Sequence, residues 1–292
     1  MTPPDYEYLR KFLKDHSGLD LSADKHYLIE SRLLPLARKS GLNGISDLVQ
    51  KLKGGSALFV TQVVEAMTTN ETFFFRDKIP FDHFREVIMP EITKARANRK
   101  SIRIWCAAGS TGQEPYSLAM CIKEMSAALS GWRVEILATD LSQEVLEKSK
   151  AGIYSQFEVQ RGLPIQMLVK YFKQTGELWQ INPDIRAMVQ HRQLNLLNDL
   201  TQLGVFDIIF CRNVLIYFDQ DTKVNIFSRL ARATEPDGFL VLGAAETVVG
   251  LTDAFRPFAD RRGLYRPNVP AAAPGRMLGV GASIRKAAIA GT

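Results

Sequence analysis

Four short stretches of the sequence put polar side chains where an apolar run or a loop gives way to a helix. The first is IRIWCAAGSTGQEPYS, residues 102–117. Its apolar run ends in a glycine-bearing loop that opens a helix. Gly109 and Gly112 permit positive φ angles and a close approach of ligand to backbone, and the N–H groups at the helix start attract an anionic group. Ala107 stands where a G-x-G-x-x-G pattern has its first glycine, so a strand–helix turn that binds nothing remains an alternative. Glu114, directly after the loop, argues for a ligand all the same: an acid there disfavours a pyrophosphate and suits an ammonium or sulfonium charge.

The second stretch ends a run at residues 134–138 with Thr139 and Asp140. An acid at the end of the second strand of a nucleotide-binding sheet can accept the ribose hydroxyls. The alternative is a helix N-cap, a role that Ser142 fills better. The third stretch, FDIIFCRNVLIYFD at residues 206–219, delivers Arg212 and Asn213 to the end of a buried strand, with Tyr217 about a turn later. Ligands of open α/β sheets bind at that edge, although Tyr217 and Phe218 also read as packing residues. The fourth, TTNETFFFRD at residues 68–77, sets Asn70, Thr72 and Arg76 around three phenylalanines. The aromatic run reads as a staple between two modules, and polar groups drawn into it need partners that a ligand would supply.

Several chemistries are not indicated. His16, His26, His83 and His191 show no metal-ligand spacing, and neither a G-x-S-x-G elbow nor a phosphate-binding G-x-x-x-x-G-K-[ST] occurs. The three cysteines, Cys106, Cys121 and Cys211, form no C-x-x-C pair and lie in apolar runs, where a reduced thiol acts as a small hydrophobe. The formal charge of the 292 residues is +6. Three of those charges (Arg276, Arg285, Lys286) fall in the acid-free stretch from Asn268 on, leaving 6 − 3 = +3 for the rest. That excess is compatible with an acidic partner and too weak to indicate nucleic acid. The first residues, MTPPDYEYLRKFLKDH, carry charges throughout and do not resemble a signal peptide, and no apolar run approaches bilayer length. A cytoplasmic protein without membrane insertion is expected.

The elements that must position these residues change character along the chain. Residues 4–67 carry helical periodicity only, with Ser46 a candidate cap for a helix at 47–53. A helix over 81–97 leads into a second part, where strands at 102–106, 134–138, 206–211, 239–242 and 263–265 alternate with helices at 113–129, 142–150 and 220–234. Such alternation predicts an α/β domain with a parallel sheet covered on both faces. Residues 153–192 interrupt it with a short helix at 164–172 and two strand-like runs, 178–181 and 185–191, about Asn182–Pro183–Asp184. These read as a hairpin-bearing insertion. The division expected is an all-α module over 1–75, a linking helix over 76–100, the α/β domain over 101–267 with its inserted β-subdomain at 153–192, and a disordered tail rich in Ala, Gly and Pro over 268–292.

Taken in order, TTNETFFFRD, WCAAGSTGQEPYSLAM, ATDLSQEVLEKS, NLL and FDIIFCRNVLIYF resemble the CheR chemotaxis-receptor methyltransferases from about residue 5 to Arg266. The resemblance implies a helical N-terminal domain joined to a class I, Rossmann-like methyltransferase domain with a small inserted β-subdomain. It implies S-adenosyl-L-methionine as cofactor and S-adenosyl-L-homocysteine as product. Matched position by position, the cofactor contacts would be Asn70, Thr72, Arg76, Glu114, Asp140, Asn195, Leu196, Arg212 and Asn213, with Tyr217 near the transferred methyl. Gln113 departs from the family, which often has a second glutamate there. The insertion is short and lacks a glycine-rich hairpin turn, which points to receptor binding without a C-terminal pentapeptide tether.

The implied reaction methylates glutamate γ-carboxylates on the cytoplasmic helical domain of methyl-accepting chemotaxis receptors in adaptation. A free glutamate has a pKa of about 4.3, so it is already ionised at neutral pH and needs no general base. Arg76 and Tyr217 are the candidates for orienting it. Lys25, Arg32, Arg38 and Lys39 of the helical module could complement acidic receptor helices. The protein is expected to act as a monomer. The alternatives are a methyltransferase of another substrate and a non-catalytic cofactor-binding adaptor.

Overall fold

The computed structural model describes residues 1–268; apart from its first residue, the tail expected to be disordered lies outside them. The chain begins with four helices, α1 (Pro3–Ser17), α2 (His26–Lys39), α3 (Ile45–Lys53) and α4 (Ala57–Met67). Thr2 and Asp5 form a capping box on α1, Pro3 takes its first turn, and Gly18 ends it in the left-handed region. Side chains at helical spacing, among them Leu9, Leu13, Ile29, Leu33, Leu48 and Val63, pack into one core. Ser46 does not cap α3: Gly44 precedes the helix, and the Ser46 hydroxyl donates to Asp5 Oδ2 at 2.6 Å, tying α3 to α1.

The linking helix is interrupted. α5 (Ile79–His83) passes through a π-turn at Phe84–Ile88 into α6 (Met89–Ala95). The turn lies directly before Pro90, which has no N–H for the helical ladder. It keeps Phe81, Phe84, Ile88 and Ile92 in the sheet's core.

The second domain contains β1 (Ser101–Ala107), α7 (Gln113–Glu124), β2 (Arg133–Asp140), α8 (Gln143–Ala151), β3 (Ile153–Ser155), α9 (Gln156–Gln160), α10 (Ile165–Tyr171), β4 (Phe172–Thr175), β5 (Leu178–Ile181), α11 (Pro183–Arg186), β6 (Val189–Gln193), β7 (Phe206–Cys211), α12 (Gln220–Arg232), β8 (Thr234–Leu242), β9 (Phe255–Pro257) and β10 (Leu264–Pro267). Seven strands make one sheet in the order β6-β2-β1-β7-β8-β10-β9. The first five run parallel and β10 is antiparallel to both its neighbours. All six residues of β7 are buried, as expected of a central strand covered on both faces. One face packs Ile104, Ile136 and Ile208 under the linking helix and α7; the other packs Trp105, Ile209 and Leu240 under α12.

The inserted sheet has the order β3-β5-β4. Its hairpin is β4–β5, turning at Gly176–Glu177, rather than the two runs on either side of Asn182–Pro183–Asp184. Asn182 instead precedes the single turn α11, and the strand after it, β6, pairs in parallel with β2 at Ile136↔Val189. The three-stranded sheet therefore spans Ile153–Ile181, and residues 189–192 belong to the main sheet. The alternation in 185–191 suits either sheet edge, so sequence pattern could not choose between them.

Candidate functional site

Parallel pairing brings the ends of β1, β2, β6, β7 and β8 to one edge, so the loops that follow share one crevice. It holds about 1030 Å³ including its open mouth. Asn70, Thr72, Arg76, Glu114, Asp140, Asn195, Leu196, Arg212, Asn213 and Tyr217 all line it.

The glycine loop differs from expectation in one detail. Positive φ falls on Ala108, Ser110 and Gly112, not on Gly109. Gly109 serves packing: its N–H donates to Thr139 O at 2.8 Å, and a Cβ there would lie 3.3 Å from the Ala138 Cβ. A Cβ on Gly112 would overlap Ser149 Oγ and crowd Tyr154, whose hydroxyl braces the loop by donating to Thr111 O at 2.8 Å.

Glu114 sits in the first turn of α7, buried, and accepts from Arg212 Nη1 at 2.7 Å. Burial pushes its carboxyl above the usual range and the Arg212 guanidinium opposes that rise. Arg212 Nη2 reaches Asp77 Oδ2 and the Arg76 carbonyl, both at 2.8 Å. Arg212 Nε is buried and has no partner among the described residues, a donor that a bound ligand would satisfy.

Asp140 does not cap α8; Ser142 does, accepting from Val145 N. The Asp140 carboxylate accepts N–H from Ser110 (2.9 Å) and Ser142 (3.0 Å). Burial raises its pKa, and these N–H groups oppose the rise. No cation pairs with it among the described residues, and an ionised carboxylate with about four acceptor positions retains capacity for hydroxyl donors.

Asn70 donates its side-chain amide to Thr68 Oγ1 (3.2 Å) while its backbone carbonyl accepts from Ser110 Oγ (3.1 Å), which joins the α4–α5 segment to the glycine loop. Arg76 is half-buried, donates to Glu71 O at 2.7 Å and lies over the Phe73 ring. Glu71 itself pairs with Arg161. Asn195 commits its side chain to His16 O (2.6 Å) and Leu197 N (2.9 Å), so its side chain secures the helical module against the sheet edge. Leu196 is buried beside it. Tyr217 lies on a short 3₁₀ turn, and its carbonyl accepts from Asp20 N at 2.9 Å.

Other lining residues come from outside the four sequence stretches. Ser17, the last residue of α1, and Leu19, from the α1–α2 loop, line the crevice together with Val64 and Met67 of α4. Nothing local in the sequence marks them, since their place depends on how the helical module docks. Arg32 was a candidate for receptor contact; its guanidinium instead caps the end of α4, donating to Met67 O (2.6 Å), Thr68 O (3.1 Å) and Thr69 Oγ1 (2.8 Å).

A seven-stranded sheet of this order, with an acid after the glycine loop and another at the end of the second strand, defines a class I methyltransferase. The family model described as "CheR methyltransferase, SAM binding domain" matches residues 70–264, and "CheR methyltransferase, all-alpha domain" matches residues 4–68. The chain is 42% identical over 256 residues to Chemotaxis protein methyltransferase 1 of Pseudomonas aeruginosa, covering 86% of this chain and 93% of that one. It is 41% identical over 261 residues to Chemotaxis protein methyltransferase of Vibrio anguillarum, covering 87% and 94%. The chain belongs to the CheR methyltransferase family, and its cofactor is S-adenosylmethionine. Among the described residues no helix is long and apolar enough to cross a membrane.

Proposed function

We propose that the chain methylates glutamate side chains of methyl-accepting chemotaxis receptors in the cytoplasm, using the crevice at the sheet edge. One observation carries the acceptor side of this reading. Two cations line the crevice: Arg212 is consumed by Glu114 and Asp77, whereas Arg76 pairs with no carboxylate among the described residues. It is the group available to an incoming carboxylate.

For the cofactor, Asp140 offers acceptor capacity to ribose hydroxyls and Arg212 Nε a free donor. Glu114 places negative charge at the head of α7. Asn70, Thr72, Asn195, Leu196 and Asn213 complete the wall. The bound cofactor supplies an electrophilic methyl group on a sulfonium. An acceptor γ-carboxylate oxygen would bond to that carbon as the carbon–sulfur bond breaks with its electron pair on sulfur, giving a methyl ester and S-adenosylhomocysteine. The acceptor is ionised at neutral pH, so the residues' work is orientation and exclusion of water. Arg76 and Tyr217 orient the carboxylate. A tight ion pair would hold back the nucleophile as charge is neutralised in the transition state, which suits the half-buried setting of Arg76.

The receptor surface would be an acidic helix meeting Lys25, Arg38 and Lys39, with Arg32 serving α4 instead. Binding is independent of a C-terminal pentapeptide, and the acting form is a monomer. The test uses radiolabelled S-adenosylmethionine with receptor-containing membranes. Base-labile methyl label on the receptor is expected, and Arg76→Ala and Tyr217→Phe should each lower kcat about tenfold or more, a larger effect than on cofactor affinity. Cofactor binding without label would reduce the protein to an adaptor. Label on another molecule would replace the substrate, and tight calorimetric binding of the pentapeptide would remove the tether-free reading.

A further inference from the structure

The turn that follows β7 carries Arg212, Asn213 and Tyr217; Glu114 holds the Arg212 side chain and Asp20 N the Tyr217 carbonyl, but the backbone between them is fixed from outside the crevice. Asn213 has φ 57°, in the left-handed region that few residues with a side chain occupy and that asparagine tolerates better than most. Three successive N–H groups, of Asn213, Val214 and Leu215, converge on one point. Such a run with one left-handed residue makes a concavity that binds anions. Here the anion is the chain's own: Glu246, 8% exposed, from the loop after β8. Its Oε2 accepts from Asn213 N and Gly243 N, each at 2.8 Å, and its Oε1 accepts from Val214 N at 2.9 Å and Leu215 N at 2.8 Å. It forms no ion pair among the described residues, so four N–H groups satisfy the carboxylate. Gly243 closes the arrangement from behind, since a Cβ there would lie 2.8 Å from Glu246 Oε2 and 2.9 Å from Asn213 Nδ2.

We infer that Glu246 is a positioning residue for the methyl-transfer site, holding the Arg212–Tyr217 turn in its working conformation by filling this concavity with an internal carboxylate. The inference rests on the function proposed above and adds a residue that touches neither cofactor nor acceptor. It has a second consequence: a cavity that elsewhere would recruit a phosphate or carboxylate of the ligand is already filled. The sheet edge is thereby closed to anionic nucleotides at that point. Glutamine cannot replace the glutamate. Each oxygen takes two N–H donors, so an amide nitrogen in either position would face two donors with two of its own. At least two of the four bonds are lost, and Asn213 is released to leave its left-handed φ.

The test compares wild type with Glu246→Gln, Glu246→Asp and Gly243→Ala. Asp207→Asn serves as a destabilised control, its carboxylate being buried at the opposite end of the sheet and held by Arg96, Arg99 and the Arg103 N–H. S-adenosylhomocysteine binding is read by calorimetry, kcat at saturating S-adenosylmethionine, and stability by melting temperature. Glu246→Gln and Gly243→Ala should weaken binding about tenfold and lower kcat about tenfold, because displacements near 1 Å have effects of this size or larger. Glu246→Asp should recover part of both. Asp207→Asn should keep both parameters at a similar melting temperature. Wild-type protein that binds S-adenosylhomocysteine but labels no receptor would sink the proposed acceptor, and the affinities of the variants would then decide the role of Glu246. Wild-type binding together with unchanged affinity and kcat in both site variants, or an equal loss in the Asp207→Asn control, would overturn the positioning role. If Glu246→Gln does not fold, Gly243→Ala decides, since it strikes the same concavity with the carboxylate retained.

Discussion

Replacing Arg212 with methionine should show what a buried acid costs this crevice. Arg212 and Glu114 meet at 2.7 Å with side-chain exposures of 1% and 12%, so solvent screens the pair weakly. At an effective dielectric constant near 20, two charges about 4 Å apart attract by about 4 kcal/mol, and removing one partner of a buried pair costs about 3–5 kcal/mol. The second partner, Asp77, is 37% exposed, and its share is reduced to below about 1 kcal/mol. We therefore expect Arg212→Met to lose about 3–4 kcal/mol by urea unfolding, and the double variant with Glu114→Gln to recover about 2 kcal/mol, since the stranded charge is then gone. The loss should also depend on pH. Burial already lifts Glu114 above the ordinary carboxylate range, so the folded chain keeps that proton to higher pH than the unfolded chain does. The resulting penalty is absent in acid and grows as pH rises. Without Arg212 the lift is larger, so the deficit of the variant should widen as pH rises above the unfolded glutamate value of about 4.3. A double variant no more stable than Arg212→Met, with a deficit that does not vary with pH, would show that Glu114 is not the stranded charge.

Three further outcomes follow from single contacts. Arg32→Met, which removes the cap on α4, should weaken S-adenosylhomocysteine binding about fivefold to tenfold by calorimetry and leave kcat at saturating cofactor nearly unchanged, because it loosens the segment bearing Asn70 and Thr72 and not the acceptor groups. Burial beside Ser149 lowers the His191 pKa to about 4; its stabilising effect is complete above the unfolded value near 6.5 and disappears as pH falls to about 4, so wild type should lose about 2 kcal/mol across that window, allowing for partial exposure, and His191→Asn should lose less. Gly162 has φ +83° and a Cβ there would overlap Phe74 O; Gly162→Ala should cost about 2–3 kcal/mol in urea unfolding, whereas Gly176→Ala, with open space around it, should cost about 1 kcal/mol.

Glu114, Asp140, Arg212 and Asn213 were legible because chemistry restricts their types. An acid directly after a glycine loop, an acid closing the second strand, and Arg-Asn after a run of buried apolar residues each conflict with simple packing. The groups that brace them were not legible. Glu246 is one acid 33 positions after Asn213, and only the pairing of β7 with β8 brings the two loops together. Arg32 reads as a candidate for receptor contact until α4 is seen to end beneath it. Strand β6 was assigned to a hairpin because alternation fixes which residues face inward, not which sheet they face. The break in the linking helix followed from Pro90, which the sequence displayed openly; helical periodicity on either side masked it.

The crevice as a whole has a charge order that none of these residues shows separately. Among the described residues five charged side chains line it: Glu71, Arg76, Glu114, Asp140 and Arg212. Two pairs of opposite sign account for most of the charge, Glu71 with Arg161 and Glu114 with Arg212. What remains is one acid, Asp140, at the end of β2, and one cation, Arg76, on the segment before α5. Neither has an ionic partner among the described residues. An uncompensated acid favours hydroxyl donors and net positive charge, and an uncompensated guanidinium favours a carboxylate. A crevice with one of each suits two ligands of opposite charge, a sulfonium nucleoside and an acidic side chain, better than either ligand twice. After transfer the acceptor is an ester, so Arg76 loses the anion it attracted while Asp140 keeps its ribose hydroxyls, and release of the methylated side chain is favoured by the same arrangement that gathered the reactants.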